Sequence, residues 1–145
     1  MTSSLSTEDI ASRVDAELHA LLENKDMQLY RMVSYHLGWK DAIGNEVGPP
    51  NASRPHGVAC LATCLALEGN IDTAVRAATA VELINCLSEI HDDVQSGRPS
   101  RHNRDAVWWV WGPAQAINVG GRNARTGSNG NVHPKRFRPF RGNNP

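Results

Sequence analysis

Two adjacent carboxylates, Asp92 and Asp93, stand near the end of an apolar helical pattern, VELINCLSEIHDDVQSG, running from Val81 to Gly97. If Ile71 to Ser96 is one helix at about 100° per residue, then Asn85, Ser88, Glu89, Asp92 and Ser96 share roughly a third of its circumference. Carboxylates gathered this way repel one another unless a cation neutralises them, and a divalent metal with oxygen ligands is the commonest neutraliser. The plainer reading is a solvated helix end, since paired acids near helix termini are common. The cysteines offer no competing chemistry. Cys60, Cys64 and Cys86 form an odd set without Cys-x-x-Cys spacing, which argues against a disulfide framework and a zinc site and leaves them as reduced packing residues.

The acids need a scaffold, and periodicity supplies one. Ser6-Thr7-Glu8-Asp9 offers a cap and first-turn acids, after which Ile10, Val14, Leu18, Leu21 and Leu22 recur at helical spacing, predicting a helix from Thr7 to Asn24. A second pattern opens at Asp26 and carries Leu29, Met32, Val33, His36 and Leu37; a loop follows over Gly44 to Ser53. Arg54-Pro55 opens a third helix, Gly69-Asn70 stops it, and Ile71 to Ser96 forms the longest, central one. Beyond a basic loop, Arg98 to Arg104, Asp105 caps a fifth helix bearing Trp108, Trp109 and Trp111, which Pro113 should kink or split. These tryptophans cannot all face one side, so some belong to the core and some to an interface. No strand pattern, internal repeat or Gly-rich phosphate loop appears. The expected fold is an all-α bundle of about five helices.

The 145 residues suit one domain, and a hydrophobic fraction of 40 % is ordinary for a globular chain. No run of 18 apolar residues occurs and the first residues lack a signal-peptide pattern, so the expected location is cytoplasmic. The formal charge of zero conceals an asymmetry. Gly121 to Pro145 holds 6 of the 15 basic residues and no acid, leaving 9 − 15 = −6 on residues 1–120. Its Gly, Asn, Arg and Pro content predicts a disordered basic tail beside a helical domain over 1–120.

Three collinear blocks then acquire meaning together: Ser53-Arg54-Pro55 with Ala59-Cys60; Ala77 to Gln95, including Glu82, Ser88 and Ile90-His91-Asp92-Asp93; and Val107-Trp108 to Gly120, ending Ala-Gln-Ala-Ile-Asn-Val-Gly. In order and spacing they resemble the trans-type polyprenyl diphosphate synthase family, over most of Arg54 to Gly120. The resemblance implies the N-terminal part of the isoprenoid synthase fold. It also implies condensation of isopentenyl diphosphate with an allylic diphosphate, helped by magnesium. Asp92 and Asp93 match the first two acids of the family's DDxxD metal motif. Arg101 and His102 fall at the paired arginines that grip the allylic diphosphate. Arg54 matches the last basic residue of the isopentenyl diphosphate element, and Asn85 stands where the family has a histidine.

The departures bear on activity. Ser96 replaces the last Asp of DDxxD, with Glu89 one turn earlier as a candidate replacement ligand or else the partner of a nearby arginine. The Gly-Gly-Lys-Arg part of the isopentenyl element reads Pro49, Pro50, Asn51, Ala52, and no second Asp-rich motif follows. The expectation is therefore weakened magnesium binding, little turnover, and a truncated or frame-shifted C-terminus. Alternatives are a non-catalytic partner of a complete synthase, as homodimer or mixed assembly, or nucleic-acid binding through the basic tail, where Phe137 and Phe140 are interleaved with arginines. Of these the nucleic-acid role is the less favoured.

Overall fold

The computed structural model describes residues 6–23, 25, 27–47 and 53–120. Six helices and one small hairpin make up these residues: α1 (Thr7–Leu22), α2 (Gln28–His36), α3 (Pro55–Ala66), α4 (Ile71–Ser96), β1 (Ser100–Arg101), β2 (Arg104–Asp105), α5 (Val107–Trp111) and α6 (Pro113–Gly120). The architecture is all-α. The proposed basic tail, 121–145, and the isopentenyl-element positions 49–52 lie outside the described residues.

Local chemistry sets the helix limits. Ser6 caps α1 in a reciprocal pair with Asp9, each side chain accepting from the other's backbone N–H. Asn70 caps α4 by accepting from Thr73 N–H at 3.0 Å, and Gly97, at φ 64°, turns the chain out of its far end. The fifth predicted helix is two: Gly112, at φ 92°, and Pro113 divide α5 from α6. Helix α1 ends at Leu22 and α2 begins at Gln28, both inside the expected bounds, and Leu21 faces solvent rather than the core.

The hairpin corrects the expectation of no strands. Ser100 pairs with Asp105 and Arg101 with Arg104, antiparallel, around His102 at φ 51° and Asn103 at φ 60°. Two consecutive positive φ values make the tight two-residue turn that matches strand twist, and asparagine tolerates it well. Strands of two residues are too short to show alternation, so nothing in the residues announced them.

Helix α4 is the axis, packed by α1, α2, α3, α5 and α6. Its inward residues Ala78, Cys86 and Ile90 join Val14 and Leu18 of α1, Met32 and Val33 of α2, Leu61 of α3, Val107 of α5 and Ala116 and Val119 of α6 in one core. Trp108 and Trp111 pack against that core while Trp109 remains exposed. Burial raises the Cys86 thiol to about 12, so it stays a neutral packing group. A close junction holds α1, α3 and α4 together at Gly57, where a Cβ would lie 2.7 Å from Val14 Cγ1 and 3.3 Å from the Ala78 carbonyl oxygen.

Candidate functional site at the end of helix α4

The last turn of α4 contains no basic residue, and the helix C-terminus carries partial negative charge, so Asp92 and Asp93 sit where carboxylates are least welcome. The segment after the helix supplies the compensation. Gly97 reverses the chain, and the hairpin brings Arg98 and Arg101 back over the acids. Arg101 Nε donates to both Asp93 oxygens at 3.0 Å, and its Nη2 donates to Asp93 Oδ1 at 2.8 Å and Asp92 Oδ2 at 3.2 Å. Arg98 Nη1 donates to the same pair at 3.3 and 3.4 Å. Asp93 is 1 % exposed; a buried carboxylate persists there because two guanidinium groups satisfy it. The hydrogen bond to Asp93 holds the Arg101 guanidinium pKa above its ordinary value.

One turn earlier on α4, Glu89 is enclosed as well. Its Oε2 lies 3.0 Å from His36 Nε2 and 3.9 Å from His102 Nε2, while its Oε1 accepts from Asn85 Nδ2 at 3.4 Å and lies 3.6 Å from Arg101 Nη1. The hydrogen bond with His36 chiefly, then the charges of His36 and Arg101, lower its pKa to about 2, against the opposing effect of burial.

These groups border an open cavity of about 700 Å³, lined by α2, the start of α3, the middle of α4 and the hairpin. Arg54, Asn85, Glu89, Arg101 and His102 all line it. Asp92 and Asp93 stand just outside, tied to it through Arg101. Ser96 is separate: its hydroxyl donates back to the Asp92 carbonyl at 2.7 Å. Arg54 is held in place by an acid on another helix. Its Nε donates to Asp15 Oδ1 of α1 at 2.8 Å and its Nη2 to the Leu37 carbonyl at 3.4 Å, so most of its charge is already balanced. Arg54 occupies the N-cap of α3 in the left-handed region, at φ 41°, without capping the helix itself. Glu82, buried on α4, does that instead, accepting from Gly57 N–H at 2.7 Å.

Four participants had been given no role in the site from the sequence. Asp15, His36 and Glu82 reach their partners across 39, 53 and 25 positions, and no local pattern could link them. Arg98 had a signal, standing five residues after Asp93 in a basic loop. Among the described residues, no group of three or more His, Cys, Asp or Glu side chains is arranged to hold a metal ion.

Comparison with known proteins bears directly on this arrangement. The polyprenyl synthetase family profile matches residues 49–122, which is 74 of 145 positions and spans the third helix, the acid pair and the hairpin. The chain belongs to the polyprenyl synthetase family. Among sequence relatives of this family member, the geranylgeranyl diphosphate synthase of Mycobacterium tuberculosis is 33 % identical over 103 residues, covering 71 % of the chain and 29 % of that protein. The (2E,6E)-farnesyl diphosphate synthase of Mycobacterium bovis is 33 % identical over 105 residues, with the same coverage. The crystal structure of a polyprenyl synthetase from Streptomyces coelicolor A3(2) superposes with a TM-score of 0.68 at 34 % identity, covering 78 % of the chain and 33 % of that structure. The chain thus spans under a third of the length of these curated relatives.

Proposed function

We propose that this family member binds the diphosphate group of a prenyl diphosphate at the Arg98–Arg101 end of α4, and that the reaction it serves is prenyl transfer. In that reaction the C–O bond of an allylic diphosphate breaks and the diphosphate leaves with the electron pair. The double bond of isopentenyl diphosphate attacks the allylic carbon, and loss of a proton from the adduct restores an alkene. The observation that carries the reading is the convergence of two guanidinium groups on an acid pair at the mouth of a 700 Å³ cavity. Guanidinium forks match phosphate oxygens as well as carboxylates, so a diphosphate competes directly for the Arg98 and Arg101 donors that now face Asp92.

Magnesium fits this site at one position. Asp92 is exposed, and its Oδ1 accepts no hydrogen bond from the described residues, which suits an ion that keeps several waters and binds through one or two carboxylates plus substrate phosphates. Asp93 and Glu89 are enclosed by Arg98, Arg101, His36 and Asn85, and Ser96 is bonded to its own helix, so they are weak candidates for metal contact. When bound, the ion would stabilise negative charge on the departing diphosphate. The chain's own part is to present Arg98 and Arg101 to the phosphates and to keep Asp93 shielded. At the cavity wall, Arg54 and Asn85 stand where isopentenyl diphosphate is expected, with Arg54 already neutralised by Asp15. No carboxylate follows Asp105 in the sequence, so the 145 residues alone offer too few metal ligands for appreciable turnover.

Calorimetric titration with inorganic pyrophosphate, with and without magnesium, tests the site. Saturable binding that Arg101→Ala weakens by about tenfold supports it, in line with the loss of a charge-assisted pair. Absence of binding at low salt removes it. A parallel assay with radiolabelled isopentenyl diphosphate and geranyl diphosphate tests turnover, and ready magnesium-dependent product from the purified chain would overturn the expectation of low activity.

A further inference from the structure

We infer that the cleft between α1, α2 and the turn that follows α2 binds a phosphate monoester, in a site separate from the cavity beside α4. The cleft holds about 390 Å³ and shares no lining residue with that cavity. Its walls include His19 in the last turn of α1, Tyr30, Arg31 and Ser34 on α2, and Trp39 and Lys40 just beyond. Trp39 leaves a hydrogen bond unanswered there. Its side chain is 5 % exposed, and its Nε1–H has no acceptor among the described residues. The indole is not free to turn and find one, because the His19 ring packs against it at 4.7 Å between centroids and the Arg54 guanidinium lies over it at 5.8 Å. An indole nitrogen only donates, so whatever satisfies it must bring an acceptor. Buried donors left unpaired are rare and costly, and a ligand oxygen removes the cost.

The neighbouring groups donate as well. Ser34, also buried, adds a hydroxyl to the wall, and Lys40 adds an ammonium. Arg31 commits Nη2 to the Ile43 carbonyl at 3.2 Å, and none of the ion pairs among the described residues uses Arg31 or Lys40. A negatively charged ligand that accepts in several directions matches this set. The three terminal oxygens of a phosphate monoester answer donors arriving from different elements, whereas the two oxygens of a carboxylate lie in one plane. Glu23 and Glu46 line the same cleft and are exposed, which puts the anion on the inner side, against Trp39 and Ser34. The volume exceeds what a bare phosphate fills, and Leu22 with the Tyr30 and His19 rings offers the ester's organic part an apolar surface. None of this depends on the prenyl-transfer reading.

Phenyl phosphate titrated into the 145-residue chain, followed through the assigned indole N–H signals in proton–nitrogen NMR, tests the site. Trp108 reports on the other site in the same spectrum, because its Nε1–H donates to the Arg98 carbonyl at 2.6 Å. The expected result is a saturable downfield shift of the Trp39 signal, reached at lower concentration than inorganic phosphate requires. Lys40→Ala or Arg31→Ala should weaken it about tenfold, as for loss of a charge-assisted hydrogen bond. Lys40→Ala keeps the backbone carbonyl that Arg104 uses, and circular dichroism of both variants should match the parent. Four results would overturn the inference: a Trp39 signal that does not move, a shift confined to Trp108, a Trp39 shift indifferent to both substitutions, or an equal shift with phenol, which would make the ring and not the phosphate the recognised group.

Discussion

At the scale of single residues, Arg101 holds the site together because it answers three carboxylates at once: Asp93 by bidentate hydrogen bonds, Asp92 by one, and Glu89 at 3.6 Å. Removing it leaves Asp93 buried with Arg98 alone. Arg101→Ala should therefore destabilise the fold by about 3 kcal/mol, the order seen when one partner of a buried ion pair is deleted, and Arg101→Lys by less. Urea denaturation measures both. Glu89 supplies a pH signature. Its pKa falls from 4.5 to about 2 in the folded protein, so its contribution is fully present above the unfolded value and is lost as pH drops from 4.5 toward 2. Carboxyl NMR titration should find the Glu89 midpoint near that lower value, and Glu89→Gln should flatten the acid limb of the stability curve. Legibility at this scale follows distance along the chain. Asp92, Asp93, Glu89 and Arg101 lie within 13 positions of one another and are visible as a motif; His36 and Asp15 come from other helices and are not.

At the scale of elements, the junction of α1, α3 and α4 fixes where Arg54 points. Gly57 has no side chain because Val14 and the Ala78 carbonyl occupy the space, and its N–H is the donor that Glu82 accepts. Gly57→Ala should cost about 1–3 kcal/mol through overpacking. Val14→Ala, itself destabilising, should offset part of that cost, so the double variant falls short of the sum of the singles, as thermal or urea unfolding of the three proteins would show. The helices were readable from period and punctuation, and Ser6, Asn70, Gly97 and the Gly112-Pro113 break act as their residue types require; the expected cap of the fifth helix does not, since Asp105 lies in β2 and Ala106 stands at the N-cap of α5 without a side-chain cap. The β1–β2 hairpin was not, because its order comes from Arg101 and Arg104 being anchored elsewhere, Arg104 to the Tyr35 and Lys40 carbonyls at 2.8 and 2.7 Å.

At the scale of the whole molecule, a ligand that binds only the folded state raises stability by mass action. Pyrophosphate at about 100 times its dissociation constant should add about 2.7 kcal/mol, measured as a rise in melting temperature, and Arg101→Ala, binding about tenfold more weakly, should roughly halve the rise at the same concentration. No helix among the described residues is long and apolar enough to cross a membrane.

Residue order alone determined the class and the family: the 3.6-residue period, the Pro and Gly breaks, and three spaced motifs are local or collinear properties, and they survive without coordinates. Tertiary structure decided the state of the acid pair. Whether Asp92 and Asp93 face solvent, metal or arginine depends on how Gly97 and the hairpin turn Arg98 and Arg101 back onto α4, and on which side of the helix the core claims. Asp93 thereby became a buried ion-pair member, while Asp92 kept one oxygen without a hydrogen bond among the described residues. Charge in a folded chain is set by neighbours in space, and a linear sequence names those neighbours only when they are also near in the chain.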